Sequence, residues 1–592
     1  MRRSAALLLP LALVGCPSST TRQGPPPPPP APKADLVLVG GQVVTLADGV
    51  EGTAIAAKDG VVLDVADDAT IEKYIGPNTK VVGLKGRTAV PGLSDAHMHL
   101  AGLGVRRFGI DLVGTQSLEE VKARVAKAVA DAKEGQWIRG RGWDQNDWPS
   151  FSRRRRKFPS ARDLDRVAPN HPVVLTRIDG HAIWVNSKAM KMAGISRRTK
   201  TPKGGEIVKR RGRPEGVFID NAMSLVREKM PPLTTEELER AILLGQRECL
   251  VAGLTQVQDM GTDLETIEVM KKLDAAGELK VRAYVMHDGA AEDLAGAIQG
   301  GPIVAEGDSR LTVRGVKFYM DGALGSRGAA LLEPYDDDRR NKGLLLLEPA
   351  VFEARVRTVD AAGFQVATHA IGDRANQIVL DVYERVFGAE AATKRPRVEH
   401  AQILTEVDLA RFGRLGVLAS MQPTHATSDM EWAEQRVGSE RIKGAYAWQS
   451  LLTSNATVAF GSDAPVEDIS PILGLYAATT RKDQFGFPEE GWLPPEKVTT
   501  RQALEGFTTG AAWAAFREDE AGRLSPGRVA DITVLDKNPL TSSEDLLVQT
   551  QVMLTIVGGK IEYARGGADA PPAAPEEVKT STTATSTTGV GQ

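Results

Sequence analysis

Cysteine is almost missing from this chain: Cys16 and Cys249 are the two in 592 residues. A disulfide framework is therefore excluded as the basis of its stability. Histidine is scarce too, eight in all, so where each one falls carries information. Excess charge is absent, the formal net value being -3. Nothing global then favours nucleic acid or an anionic surface as a partner. No apolar run is long enough to cross a bilayer; the longest at the start, Ala5 to Val14, is too short. What is present is an ordinary globular composition, 42% hydrophobic and 25% charged, in a chain long enough for more than one domain.

The first residues read as a targeting segment. Arg2-Arg3, the apolar stretch and then Gly15-Cys16 have the form of a signal peptide over residues 1–16. Leu13-Val14-Gly15-Cys16 resembles the bacterial lipobox, in which the cysteine becomes the lipidated first residue. The expectation is an exported, membrane-anchored lipoprotein of a bacterial cell envelope, attached through Cys16. Residues 17–33 include six consecutive prolines, Pro25–Pro30, and read as a stiff polyproline tether. Residues 566–592, rich in Ala, Pro, Thr, Ser and Glu, read as a disordered tail. Cys249 lies in a helix-like apolar run and reads as a small buried hydrophobe.

Short alternating β runs occupy both ends of the body, at 34–87 and 525–565, and predict one small β-sandwich domain built from both. The middle, 88–524, alternates differently. Strand-like runs begin at Thr88, Leu254, Val281, Leu311, Phe364, Arg397, Val417 and Ala456, with helix-like segments such as Leu264–Ala275 between them. Eight strands with helical crossovers predict an α/β fold, a (β/α)8 TIM barrel. The gap from His99 to Leu254 exceeds what one helix needs, so an inserted subdomain is expected at about 109–239, after the first barrel strand. It holds Trp137, Trp143, Trp148 and Trp184, which hint at an apolar leaving group or at plain packing, and a basic run at 153–157 that reads as a solvated face.

Within Thr88–Leu100, Asp95, His97 and His99 recur at every second position. On a strand they would share a face, and two imidazoles so spaced can chelate one cation. Further polar residues stand at other expected strand ends: Lys317 in the fourth strand, His369 ending the fifth, His400 ending the sixth and Asp463 after the eighth. Barrel chemistry gathers at those ends. Four imidazoles and a carboxylate suit Zn2+ or another divalent metal, one or two ions. His425 after the seventh strand, His287 ending the third and Asp321 in the glycine-rich loop after the fourth are candidates for touching substrate. That loop does not follow a phosphate-binding pattern. His181 is a candidate for lining a cap, and His171, before a proline, reads as structural.

Together these motifs resemble the amidohydrolase superfamily of metal-dependent hydrolases, over about 34–560. Within it they resemble the branch holding N-substituted formamide deformylases and exoenzyme-regulator-like proteins. Gly522–Asp536 resembles the return of that family into its β-sandwich, and Gly142-Trp143-Asp144 with His181–Ser187 resembles the insert of this branch. The resemblance implies His97, His99, His369, His400 and Asp463 as metal ligands, and Lys317, converted by CO2 to a carbamate, as a bridging ligand. It implies hydrolysis of a C–N bond other than a peptide bond, in a small-molecule substrate, by a metal-activated hydroxide. Asp463 would take the proton of the water and pass it to the leaving nitrogen. The same ligands suit a deaminase or cyclic-amide hydrolase, and a rival of another class is a non-catalytic metal-binding surface lipoprotein.

Overall fold

Eight parallel strands form the central sheet: Leu93–Met98, Leu254–Thr262, Arg282–Asp288, Leu311–Tyr319, Gln365–Ala370, Arg397–His400, Leu418–Met421 and Val458–Phe460. They pair in chain order in a computed structural model that describes residues 31–149 and 158–566. Loop bonds join the eighth strand to the first: Asp463 N–H donates to His97 O at 2.6 Å and His99 N–H to Ala464 O at 2.8 Å. Asp95 reinforces that seam. Its carboxylate accepts from Ser462 Oγ at 2.5 Å and from His97 N–H at 3.0 Å. The expected (β/α)8 barrel is what the chain forms.

Helices follow the strands and end where local chemistry dictates. Asp263 caps Leu264–Ala275 by accepting from Thr266 N–H, and Thr405 caps Glu406–Leu415 through Asp408 N–H. The apolar faces of these helices and the outward side chains of the strands make one continuous core. The far end of the barrel is plugged. Ala96, Leu418 and Ala459 of the strands pack against Ala511 and Ala514. Gln258 and Gln365 donate to the carbonyls of Ala511 and Ala514 at 2.8 and 3.1 Å. Only one mouth of the barrel is left open.

Two smaller sheets face each other beside the barrel. One is ordered Val61–Ala66, Ala54–Lys58, Leu36–Val39 and Lys80–Gly83; the other Gln42–Val43, Thr88–Pro91, Ile532–Leu535, Val552–Val557 and Lys560–Ala564. Leu36, Leu38, Ile55, Ala89, Ile532 and Ile556 fill the space between them. One boundary differs from expectation: Thr88–Pro91 pairs with Ile532–Leu535 and belongs to this smaller unit rather than to the first barrel strand. The break falls at Gly92, where a Cβ would lie 2.3 Å from Thr255 Oγ1. Continuous apolar sequence hides such a change of sheet.

The inserted segment carries its own six-stranded sheet, in the order Gly205–Arg210, Arg213–Asp220, Ala182–Val185, Val173–Arg177, Ile138–Trp143 and Ile110–Asp111. Trp143, Trp148 and Trp184 are fully buried in its core, and their indole N–H groups donate to the carbonyls of Leu175, Thr115 and Ser160. They are packing residues; the alternative of an aromatic-binding surface is set aside for these three. The chain enters and leaves the insert through helices Leu100–Val105 and Thr235–Val251, which cross at backbone contact. A Cβ on Gly104 would fall 1.8 Å from Ala241 O, and one on Gly245 2.3 Å from Leu100 O. Cys249 on the second helix is buried, as expected. The targeting segment with Cys16, most of the tether, the basic run at 153–157 and nearly all of the tail lie outside the described residues.

Candidate metal centre

The mouth of the barrel gathers most of the side chains expected there. His97, His400 and Asp463 offer three ligand atoms within 4.8 Å of one another, and all three residues are buried. His99 Nε2 stands 3.1 Å from Asp463 Oδ1, and His97 Nε2 stands 3.4 Å from the same oxygen. Lys317 Nζ is 3.4 Å from His97 Nε2. His369 is adjacent: its ring centroid lies 4.6 Å from that of His400, while its Nε2 lies 3.6 Å from Asp321 Oδ1.

Strand geometry explains some of these positions and not others. Along Arg397–His400, Arg397 and Glu399 lie inside the barrel while Val398 joins the outer core. By alternation His400 would face outward with Val398. Instead its backbone turns left-handed, φ 74°, and brings the ring to 4.7 Å from that of His97. Asp463 is left-handed too, at φ 58°. Such backbone costs about 1–3 kcal/mol and is held by its surroundings.

Three of the imidazoles, those of His97, His99 and His400, are oriented from behind. His97 Nδ1 is 2.6 Å from Glu399 Oε2, and Glu399 is itself bound by Arg397 Nε at 2.7 Å. Arg397 also reaches Ala96 O, Ser420 Oγ and Gln258 Oε1. His99 Nδ1 is 2.9 Å from Met260 O, and His400 Nδ1 is 2.8 Å from Gln422 Oε1. These partners accept, so each Nδ1 is assigned the proton and each Nε2 presents a lone pair. Lone pairs on His97 and His99 then face Asp463 Oδ1, a buried oxygen with no hydrogen-bond partner among the described residues. Acceptor facing acceptor in a buried pocket repels unless a cation stands between them. The N and O donors suit zinc or a similar divalent ion.

Electrostatics agree. Burial pushes the His97 imidazole down to about 4 and holds His369 and His400 well below the usual range, so all three stay neutral and able to ligate. Burial would raise the Asp463 carboxyl, and positive charge among His97, His99 and His400 pulls it well below its ordinary value; with those rings neutral, a cation held between them would supply that charge. Burial brings Lys317 down to about 8, against the opposing pull of Glu399 and Asp463.

Above the cluster opens a cavity of about 2310 Å³, roofed by the insert. His425 lines it, with Nε2 3.7 Å from Asp463 Oδ2. His181 lines it as expected, its Nδ1 2.7 Å from Asp220 Oδ1 and its ring 4.9 Å from that of His369. Two expectations fail. His287 points out of the barrel, with its ring 5.7 Å from that of Phe364; its strand neighbours Tyr284 and Met286 face inward, and Asp288 reaches the cavity in its place. Asp321 is fully buried and accepts from Ala330, Ile371 and Gly372 N–H at 2.8, 3.0 and 2.8 Å, so it ties loops together and does not line the cavity. Glu399, Gln422 and Gln402 were not anticipated. Glu399 had a usable signal, its place two residues after Arg397 on the inward face; the two glutamines act through tertiary contact alone.

A model of the amidohydrolase family matches residues 80–563. The chain is 36% identical over 549 residues to Protein LONG AFTER FAR-RED 3 of Arabidopsis thaliana, covering 90% of this chain and 92% of that one. It is 29% identical over 554 residues to an N-substituted formamide deformylase of Arthrobacter pascens, covering 90% and 99%. A crystal structure of an uncharacterized metal-dependent hydrolase from Pyrococcus horikoshii OT3 superposes with a TM-score of 0.69 at 26% identity, covering 86% of this chain and 99% of that one.

Proposed function

The chain belongs to the amidohydrolase family and is a metal-dependent hydrolase acting on carbon–nitrogen bonds, and on that premise we propose that it hydrolyses a non-peptide amide, foremost an N-substituted formamide, to a carboxylic acid and an amine. The observation that carries the reading is the orphaned Asp463 Oδ1 facing two imidazole lone pairs at the floor of a large cavity.

His97, His99, His369, His400 and Asp463 would hold a divalent cation such as Zn2+, which when bound would supply Lewis-acid polarisation of the amide carbonyl and a lowered pKa for water. The chain's own groups do the rest. Asp463, its carboxyl held ionised, takes the proton from the attacking water. His425 is poised to donate. Gln402 Nε2 lies 3.2 Å from its Nδ1, which assigns the imidazole proton to Nε2, and that atom is buried without a partner beside Asp463. Its N–H meets the oxyanion that forms as the carbon becomes tetrahedral. Asp463 then passes its proton to the nitrogen, the C–N bond breaks and the amine leaves. Lys317, with a value near 8, has a substantial neutral fraction at physiological pH and so the free amine needed to take up CO2 and become a carbamate ligand. We further propose, from Leu13–Cys16 and the proline run, that the enzyme is exported and held at a membrane by a lipid on Cys16.

The test is release of amine from a panel of N-substituted formamides and acetamides by zinc-loaded protein. Turnover is expected to vanish on chelation and return with zinc. Asp463→Asn is expected to lose turnover while keeping its fold by circular dichroism; near wild-type rates would remove Asp463 from proton transfer. Bound zinc with no turnover on any amide, imide or amine would favour a non-catalytic role.

A further inference from the structure

The roof of the cavity carries two arginines that make no ion pair among the described residues. Arg141, at the end of the insert strand Ile138–Trp143, reaches the cavity. Its Nη2 donates to Ile178 O at 2.9 Å and its Nε is buried without a partner. Arg227, at the end of the short helix Ser224–Arg227, also stands in the cavity, and its guanidinium makes no ion pair or hydrogen bond among the described residues. Neighbouring carboxylates are committed elsewhere. Asp179 pairs with Arg177 at 2.5 Å, Asp220 with His181 at 2.7 Å, and Asp111 lies 3.9 Å from Arg106. Asp288 accepts from Ala290 N–H at 2.9 Å. Glu228, next to Arg227, is exposed and pairs with neither arginine.

Arg141 is half-buried and Arg227 is exposed within the cavity. A guanidinium there without a counter-ion is free to pair with an anion, and its planar fork matches a carboxylate. Burial lowers Arg141 to about 10, and it remains protonated at neutral pH, as does the exposed Arg227. The two stand near the reaction centre. Arg141, Arg227 and Tyr319 line the same cavity as His97, His99, His369, His400 and Asp463. Tyr319 has its ring 5.0 Å from Lys317 Nζ and 6.1 Å from the His369 ring.

We propose that Arg141 and Arg227 bind a carboxylate on the amine half of the substrate, so that the preferred class is the formamide of an amino acid. This rests on the amide-hydrolase reading above, because a formyl group leaves only the amine half to carry the charge. The insert thus sets specificity, while the barrel performs the chemistry.

Two measurements test it with N-formyl-L-phenylalanine, N-formyl-D-phenylalanine and N-formylphenethylamine, the last lacking only the carboxylate. The first is calorimetric binding to metal-free protein, where no cation can attract the anion. At least one acid is expected to bind about 10- to 100-fold more tightly than the neutral compound, and Arg141→Met and Arg227→Met to lose most of that preference. Arg141→Lys keeps the charge and should retain part of it; Arg385→Met, on the exposed face of an outer helix, should retain all. Equal binding of acid and neutral compound by wild type, or an unaltered preference in both methionine variants, overturns the proposal. The second is the ratio of kcat/KM for acid over neutral compound on zinc-loaded protein. Hydrolysis of the neutral compound at least as fast as both acids sinks the carboxylate proposal and leaves the hydrolase standing. Arginine-dependent binding of the acids without hydrolysis of any of the three leaves the carboxylate site standing and counts against the formamide reading.

Discussion

At His400 the backbone enters the left-handed region, and Ala401 follows it there at φ 44°. This pair decides whether the sixth strand delivers an imidazole to the mouth or to the outer helices. Behind the neighbouring His97 stands Glu399, 2.6 Å from Nδ1 and braced by the buried Arg397. A carboxylate in that place fixes the tautomer and strengthens the Nε2 donor. Glu399→Gln is therefore expected to weaken zinc binding about 10- to 100-fold in a competition titration with a chelating dye. Unchanged affinity would mean that Glu399 only satisfies Arg397.

Two helices do for the insert what single residues do for the candidate metal centre. Leu100–Val105 and Thr235–Val251 touch backbone to backbone at Gly104 and Gly245, so both ends of the inserted chain leave the barrel at one fixed place. The cavity roof, and with it Arg141 and Arg227, takes its position from that crossing. Gly104→Val would drive its side chain into the carbonyl of Ala241, which as backbone cannot rotate away. A loss of about 1–3 kcal/mol is expected in urea unfolding, with a rise in KM because the roof shifts. Gly83→Ala, with nothing within 4 Å, is the control and should stay within about 0.5 kcal/mol. If both variants unfold at the same urea concentration, the crossing is not a tight contact.

For the whole molecule the joint between sandwich and barrel matters most. Arg282, from the third barrel strand, binds Asp531 through Nε at 2.8 Å and Nη2 at 3.1 Å. Thr533 Oγ1 and Thr555 Oγ1 donate to Gly253 O and Leu250 O at 2.7 and 2.6 Å. Burial would raise the Asp531 carboxyl, but Arg282 and Arg517 overcome it and hold the group below its ordinary 3.8. A depressed carboxylate lends stability above its unfolded value, and that stability is lost as pH falls through the folded one. Arg282→Ala leaves the carboxylate buried and unpaired, and a loss of about 3 kcal/mol is expected at pH 7. The gap between variant and wild type should be full where Asp531 is ionised in both, and should narrow as pH falls through the variant's folded value, which loss of Arg282 raises, toward the lower value of wild type, read from urea midpoints against pH. A gap that stays constant down to pH 2 would mean that the ion pair contributes nothing to the joint.

The barrel, the sandwich made from both ends, the insert and most of the metal donors are written in local pattern. Alternating and continuous apolar runs mark strands, and strand ends mark the mouth, so the candidate donors His97, His99, Lys317, His369 and Asp463 could be found from spacing and residue type, whereas His400 reaches the mouth only through its left-handed backbone. Parity also held the answer for His287, whose alternate neighbours face inward. Other features were not local. Thr88–Pro91 changes sheet without any change in composition, because its partner Ile532–Leu535 lies at the far end of the chain. Asp321 looks the same in sequence whether it meets substrate or three backbone N–H groups; only the folded loops decide. The unpaired arginines of the roof are of the same kind, since a charge is unpaired only with respect to everything folded around it. Short-range sterics and periodicity determined the scaffold, and long-range packing determined which polar groups were left free to act.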